Sequence, residues 1–191
     1  MSQNPAESRF EYQTEAQRTK SPKFYGAQVG LAIFRRRLDT AIIALQALDE
    51  IKKALFYGKY VPGLTEHGVM TNCLGLDLSA VHPLHPDAVD LVHGIIGKAT
   101  EAGEGLEALF AALLESKPLD RVNIIEEVGD GFWYDAIILT ALRSTFDEAQ
   151  RTNIAKLRAR FPEKFTTTAA IDRDISHERQ VLEDNGGRFT I

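Results

Sequence analysis

The stretch KATEAGEGLEAL, from Lys98 to Leu109, combines the apolar spacing of an amphipathic helix with two acids one turn apart, Glu101 and Glu104. Gly103 lies between the acids, although a glycine inside a helix costs about 1 kcal/mol relative to alanine. Like charges at this spacing share one side of a helix and repel each other. The stretch therefore predicts a helix whose acid turn requires a cation, with no evident counter-charge from the protein close by in the sequence.

The stretch IIEEVGDGFWYD, from Ile124 to Asp135, repeats this arrangement with Glu127 and Asp130, again with a glycine between them, Gly129. The link SKPLDR between the two stretches is short, which favours antiparallel packing of the two helices. In that packing both acid pairs meet near one level, while Glu126 is adjacent to the second pair but rotated away. The sequence thus predicts four carboxylates close together.

Carboxylates that face each other in a poorly solvated site raise one another's pKa, so they cannot all stay ionised without compensation. Hard divalent cations provide it, and ligands that are all oxygens select magnesium, manganese or calcium over zinc. We therefore expect Mg²⁺ at this site, with Mn²⁺ as a substitute. Gly103 and Gly129 are expected to let helices or a ligand approach the metal closely.

The rest of the chain shows the same helical periodicity. The apolar stripe that begins at Leu31 predicts a helix that ends at Gly58. A second helix is expected from Pro86 to about Glu115, and a third from Pro118 toward Arg143. Thr145 and Glu148 form a capping box that opens a fourth helix, which must stop before Pro162, and a short helix is expected before Gly186 and Gly187. No strand alternation appears, so we predict an all-α fold.

The bulk properties restrict the class of protein. A chain of 191 residues with 44% hydrophobic residues is long enough for one domain with a sizeable core. The formal net charge of -5 disfavours long nucleic acid as a partner. The single cysteine, Cys73, excludes an intramolecular disulfide and a multi-cysteine zinc site. No signal-peptide or membrane-spanning run is visible, so we expect no membrane partner and a cytoplasmic location.

Three segments are predicted from these patterns. Residues 1–20 are polar and are expected to form a flexible N-terminal segment. Residues 21–165 are expected to form the helical domain, which includes a long loop over 58–86 rich in glycine, proline and histidine. Residues 166–191 are expected to form a C-terminal extension with a short helix.

The combined acid motif, Glu101-x-x-Glu104 followed by Glu127-x-x-Asp130, then FWY and TNIAKLRARFPEKF, resembles the MazG-like all-α nucleoside triphosphate pyrophosphohydrolases. The resemblance extends from about His93 to residue 165. It implies a four- to five-helix bundle completed by oligomerisation, as a homodimer or homotetramer. It also implies that the four acids bind magnesium and are catalytic, and that the products of nucleoside triphosphate hydrolysis are monophosphate and pyrophosphate.

The resemblance also implies substrate contacts on the helix after the acid pairs, at Asn153, Lys156 and Arg160. Their spacing places these three side chains along one face of that helix. The alternative for them is a solvated basic face that complements the helix dipole. Trp133 is a candidate for stacking on a base, although an aromatic residue at helical spacing also suits the core.

Three alternatives stay open from the sequence. Phosphoribosyl-ATP pyrophosphohydrolases and all-α dUTPases share the same scheme of acids. A helical interaction protein whose acid turn binds a structural cation or a basic partner would also carry these residues, but without turnover.

The histidines have simpler interpretations than metal binding. For His93, which lies before the first acid pair, packing is the simpler role. The pair His82 and His85 suits a rigid surface turn as well as a metal site.

Overall fold

The computed structural model of the protein describes residues 5–64 and 87–185. The regular structure within these ranges is helical without any strand, which confirms the predicted all-α class. Seven α-helices are described, together with a short 3₁₀ turn at Gly26–Gln28: α1 Pro5–Arg18, α2 Leu31–Tyr57, α3 Ala88–Leu114, α4 Arg121–Ala141, α5 Phe146–Arg160, α6 Thr167–Ile171 and α7 Ile175–Asn185. Cys73, His82, His85 and most of the predicted 58–86 loop lie outside the described residues.

The caps read from the sequence set most of the helix limits. Gly58 ends α2 in the left-handed conformation, with φ of 64°. The Thr145 hydroxyl accepts a hydrogen bond from the backbone N–H of Glu148 at 3.2 Å and opens α5 as predicted. The predicted start of α4 at Pro118 is wrong, because the carboxylate of Asp120 caps the helix two residues later, through the N–H groups of the first turn.

The chain divides into two compact units. One unit, Ala27–Leu142, contains α2, α3 and α4, and the other combines Met1–Gly26 with Arg143–Ile191. These limits differ from the segment boundaries predicted from the sequence. The acid motif belongs entirely to the first unit, whereas α5, with the predicted substrate contacts, belongs to the second.

In the first unit, α3 packs antiparallel against both α2 and α4. Glycines of α3 permit this close packing: a Cβ atom on Gly97 would lie 2.0 Å from the ring of Tyr134, and one on Gly103 would lie 2.8 Å from Leu45. The helix propensity lost at Gly103 therefore coincides with a close helix contact, as predicted. At Gly129 no described atom lies within 4 Å of the position that its Cβ would take, so no helix contact accounts for this glycine, and the approach of a ligand there stays a prediction.

In the second unit, charged side chains join α1 and α7 to α5. Glu15 of α1 pairs with Arg158 at 3.2 Å, and Arg18 donates to the backbone oxygen of Phe161 at 3.1 Å. The carboxylate of Glu178 in α7 pairs with Arg160. Among the described residues of the whole chain, none of the helices combines the length and apolar character needed to cross a membrane.

Candidate metal centre

Three of the four predicted acids form one cluster. Glu101 of α3 and Glu127 and Asp130 of α4 each place one carboxylate oxygen within 4.8 Å of the others. Glu101 and Glu127 are buried, at 7% and 8% exposure, and Asp130 is exposed at the edge of the cluster. The donor set, three carboxylates with a solvent-facing side, fits a hard divalent cation.

Glu127 carries the clearest sign of an absent partner. Its Oε1 accepts a hydrogen bond from the amide of Asn123, whereas its Oε2 is buried without a hydrogen-bond partner. Burial, the charge of Glu104 and the neighbouring Glu101 raise the pKa of Glu127 to about 7, against the lowering effect of Asn123. A buried carboxylate oxygen without a partner is costly, so this atom is available to a ligand that brings positive charge.

Glu104 lies beside the cluster and is not one of the three residues that share it. Its carboxyl group lines a polar pocket of about 400 Å³ between α2 and α3. Burial and the charges of Glu101 and Asp49 raise the pKa of Glu104, against the opposing charges of Lys53 and Lys52. Glu104 therefore faces the pocket next to the acid cluster.

A buried lysine at the cluster was missed from the sequence. The Lys52 ammonium, with the whole residue 3% exposed, donates hydrogen bonds to Thr100 Oγ1 at 2.8 Å and to Glu101 Oε1 at 3.0 Å. It also forms an ion pair with Asp49 Oδ1 at 3.1 Å. Glu101 therefore has a protein counter-charge, but one that comes from a residue distant in the sequence. The signal was present, because Lys52 falls between Leu48 and Leu55 on the apolar stripe of α2.

The environment of Lys52 keeps it charged. Burial alone lowers its pKa, but hydrogen bonds with Glu101, Asp49 and Tyr134 outweigh burial and raise the pKa above its usual range. The ring of Tyr134 also lies under the ammonium, with its centroid 5.2 Å from Nζ. The pKa of Asp49 is lowered, because hydrogen bonds with Lys53 and Lys52 outweigh the effect of burial on this carboxylate. This part of the site is a buried, paired charge network.

Two pockets of different character lie near the acid cluster, although none of its three acids lines the first. The 400 Å³ pocket carries polar side chains, including those of Lys53, Lys59 and Asn123. A second pocket of about 610 Å³ lies between α3 and α4 and is mostly apolar. Glu101 and Glu127 line this second pocket. The arrangement can accept a charged group on one side of the acids and an apolar group on the other.

The predicted substrate contacts Asn153, Lys156 and Arg160 lie on α5, in the other unit. Arg160 donates to the carboxylate of Glu178, with Nε 2.7 Å from Oε1. Hydrogen bonds with Arg160 and Arg173 lower the pKa of Glu178 to about 2 although it is buried. Asn153 accepts a hydrogen bond from the hydroxyl of Tyr12 at 3.5 Å. Arg160 thus has a structural partner within its own unit.

The aromatic residues near the cluster surround His93. Its ring stacks on Phe56 with centroids 4.0 Å apart, and it meets the edges of Trp133 and Tyr134 at 5.8 and 5.6 Å. Burial and the charge of Lys52 lower the pKa of His93. A packing role for His93 is therefore confirmed. Trp133 remains 53% exposed, so one side of its ring is available for stacking.

No protein-family model, curated protein or solved structure matches the chain. The relation to MazG-like enzymes therefore rests on the motif residues alone.

Proposed function

We propose that the protein is a metal-dependent hydrolase that converts a nucleoside triphosphate, including deoxy or modified ones, into a monophosphate and pyrophosphate. In this proposal Glu101, Glu127 and Asp130 hold Mg²⁺, or Mn²⁺ in its place, and Glu104 completes the set from the adjoining pocket. The observation that carries the proposal is the acid triad with the buried, unpartnered Oε2 of Glu127. When bound, such a metal neutralises phosphate charge and lowers the pKa of an attacking water.

The two pockets suit the two ends of such a substrate. Lys53, Lys59 and Asn123 line the polar pocket and offer donors to phosphate oxygens. The apolar pocket on the other side of Glu101 is suited to a flat base, and the exposed Trp133 adds an aromatic face near the cluster. The substrate contacts that the resemblance implies at Asn153, Lys156 and Arg160 stay a prediction, and Arg160 pairs with Glu178 within its own unit.

Assembly into a homodimer or homotetramer is part of the same proposal. Large apolar side chains of α4 are exposed in the single chain, among them Val122 at 77%, Ile125 at 72% and Phe132 at 57%. An exposed apolar face of this kind is typical of a surface that another protein chain covers. In a MazG-like bundle the covering chain is a second copy.

A non-catalytic protein that binds a structural cation is the second candidate. The observation that favours it is Lys52, which already offsets part of the charge of Glu101 without any metal. Relatives of phosphoribosyl-ATP pyrophosphohydrolases or all-α dUTPases are variants of the first candidate, since they share the acid scheme. The nature of the substrate distinguishes these variants.

The test is a pyrophosphate-release assay with ordinary and modified nucleotides in the presence of Mg²⁺ or Mn²⁺. We expect monophosphate and pyrophosphate, loss of turnover in Glu127→Gln, and nearly full turnover in the matched control Glu126→Gln, whose exposed side chain is the neighbour of Glu127 on α4. Diphosphate as the first product would overturn the proposed reaction. Metal binding without turnover of any nucleotide would favour the second candidate.

A further inference from the structure

The buried ammonium of Lys52 is paired with two carboxylates and one hydroxyl group. Asp49, Thr100 and Glu101 each offer one oxygen to its Nζ at 2.8 to 3.1 Å. The hydroxyl hydrogen of Thr100 is engaged with the backbone oxygen of Gly97 at 2.7 Å, so Thr100 accepts from the lysine. The contact with Asp49 Oδ1 is an ion pair without hydrogen-bond geometry, so the buried charge has two hydrogen bonds and two paired carboxylates.

Lys52 pairs with two carboxylates, and Glu101 is the one that depends on Lys52 for a positive partner. Asp49 has a second partner in Lys53, which pairs with its other oxygen. Glu101 has no second lysine among the partners found in the described residues, and its remaining neighbours in the cluster are the acids Glu127 and Asp130. Among the ion pairs of the described residues, Lys52 is therefore the cation that pairs with the acid triad.

We propose that Lys52 is a built-in cation of the acid site, which holds Glu101 in place when no metal is bound and shares Glu101 with the metal when one binds. The inference rests on the proposed metal centre and gives the site a positioning residue from α2. It has two consequences. The lysine makes folding of the acid cluster independent of metal, and its charge repels the incoming cation and so limits the affinity for it.

Removal of the charge tests both consequences. In Lys52→Met the unfolding temperature without metal should fall, and saturating Mg²⁺ should raise it by more degrees than it raises the wild type. Isothermal titration should show Mg²⁺ bound about tenfold more tightly than by the wild type, because a nearby positive charge is gone. The matched control is Lys117→Met, which removes an exposed lysine that pairs with Glu115 at 2.8 Å beyond the C-terminal end of α3, and it should leave the Mg²⁺ affinity unchanged.

A measurement on the unmodified chain covers the case in which Lys52→Met does not fold. Nitrogen-15 NMR of lysine side chains should show a slowly exchanging ammonium signal from the buried Lys52, identified by its loss in Lys52→Arg. Added Mg²⁺ should shift this signal and leave that of Lys117 in place.

The outcomes separate the inference from the proposed function. The role of Lys52 would be overturned if Lys52→Met bound Mg²⁺ no more tightly than the wild type does. It would also be overturned if saturating Mg²⁺ left the NMR signal of Lys52 unshifted. Either result would leave the metal centre intact. Absence of Mg²⁺ binding by the wild type itself would overturn the metal centre and the inference together.

Discussion

The raised pKa of Glu127 predicts that one substitution stabilises the metal-free protein, and by more at neutral and higher pH than at acidic pH. Glu127→Gln keeps the shape of the side chain and removes its charge. The carboxyl pKa rises from an ordinary 4.5 to about 7 in the folded protein. Between these values the folded chain keeps a proton that the unfolded chain has released, so the stability of the wild type falls as the pH rises through this window and stays low above it. The glutamine variant has no such dependence.

The size of the effect follows from the same shift. The linkage relation gives a loss in the free energy of unfolding of the wild type of about 1 kcal/mol at about pH 5 and about 3 kcal/mol at about pH 8. Urea unfolding followed by circular dichroism, with chelator present, should therefore show Glu127→Gln to be more stable than the wild type by roughly these amounts. Glu126→Gln is the control and should differ little at either pH. An equal difference for Glu127→Gln at both pH values would refute the reasoning.

Three further predictions concern activity, packing and assembly. Glu104→Gln should lower turnover by orders of magnitude. In the wild type, a chelator should abolish turnover and Mg²⁺ should restore it. Full activity in the variant would show that Glu104 is not part of the site. Gly97→Ala should lower the free energy of unfolding in urea by about 3 kcal/mol, since its Cβ would meet the ring of Tyr134, whereas Gly105→Ala, with open space around it, should be neutral or stabilising. Light scattering should give at least a dimer, which Ile125→Asp should dissociate, and a monomeric wild type at micromolar concentration would contradict this.

The sequence predicts the helices well because their limits depend on local chemistry. Gly58 and Thr145 end or begin helices through their own backbone or hydroxyl group, and both positions were predicted. Pro118 was a misleading signal, since proline tolerates the first turn of a helix without requiring it, while the carboxylate of Asp120 actively caps the N–H groups. The division into two units depends on contacts distant in sequence, such as Arg18 with Phe161, which periodicity does not reveal.

The sequence predicted only the part of the acid site that depends on residue spacing within one helix. Spacing places Glu101 beside Glu104 and Glu127 beside Asp130, but which oxygens converge depends on the register between α3 and α4. Lys52 was missed because periodicity identified the stripe of α2 from its apolar members and did not consider a charged residue within it. A lysine at a stripe position predicts a buried acid on the facing helix, because an unpaired buried ammonium is too costly.

The close packing of the glycines and the charge of the site are connected. Gly97 lets the ring of Tyr134 lie against α3, and that ring lies beneath the ammonium of Lys52. Gly103 lets α2 approach α3 at Leu45, and between the same two helices Lys52 donates a hydrogen bond to Glu101. A wider separation of these helices would admit water, and solvated carboxylates would need neither a lysine nor a metal. The two glycines of α3 therefore contribute to the site by bringing the helices close enough to exclude water. A carboxylate that is buried in such a setting requires a cation.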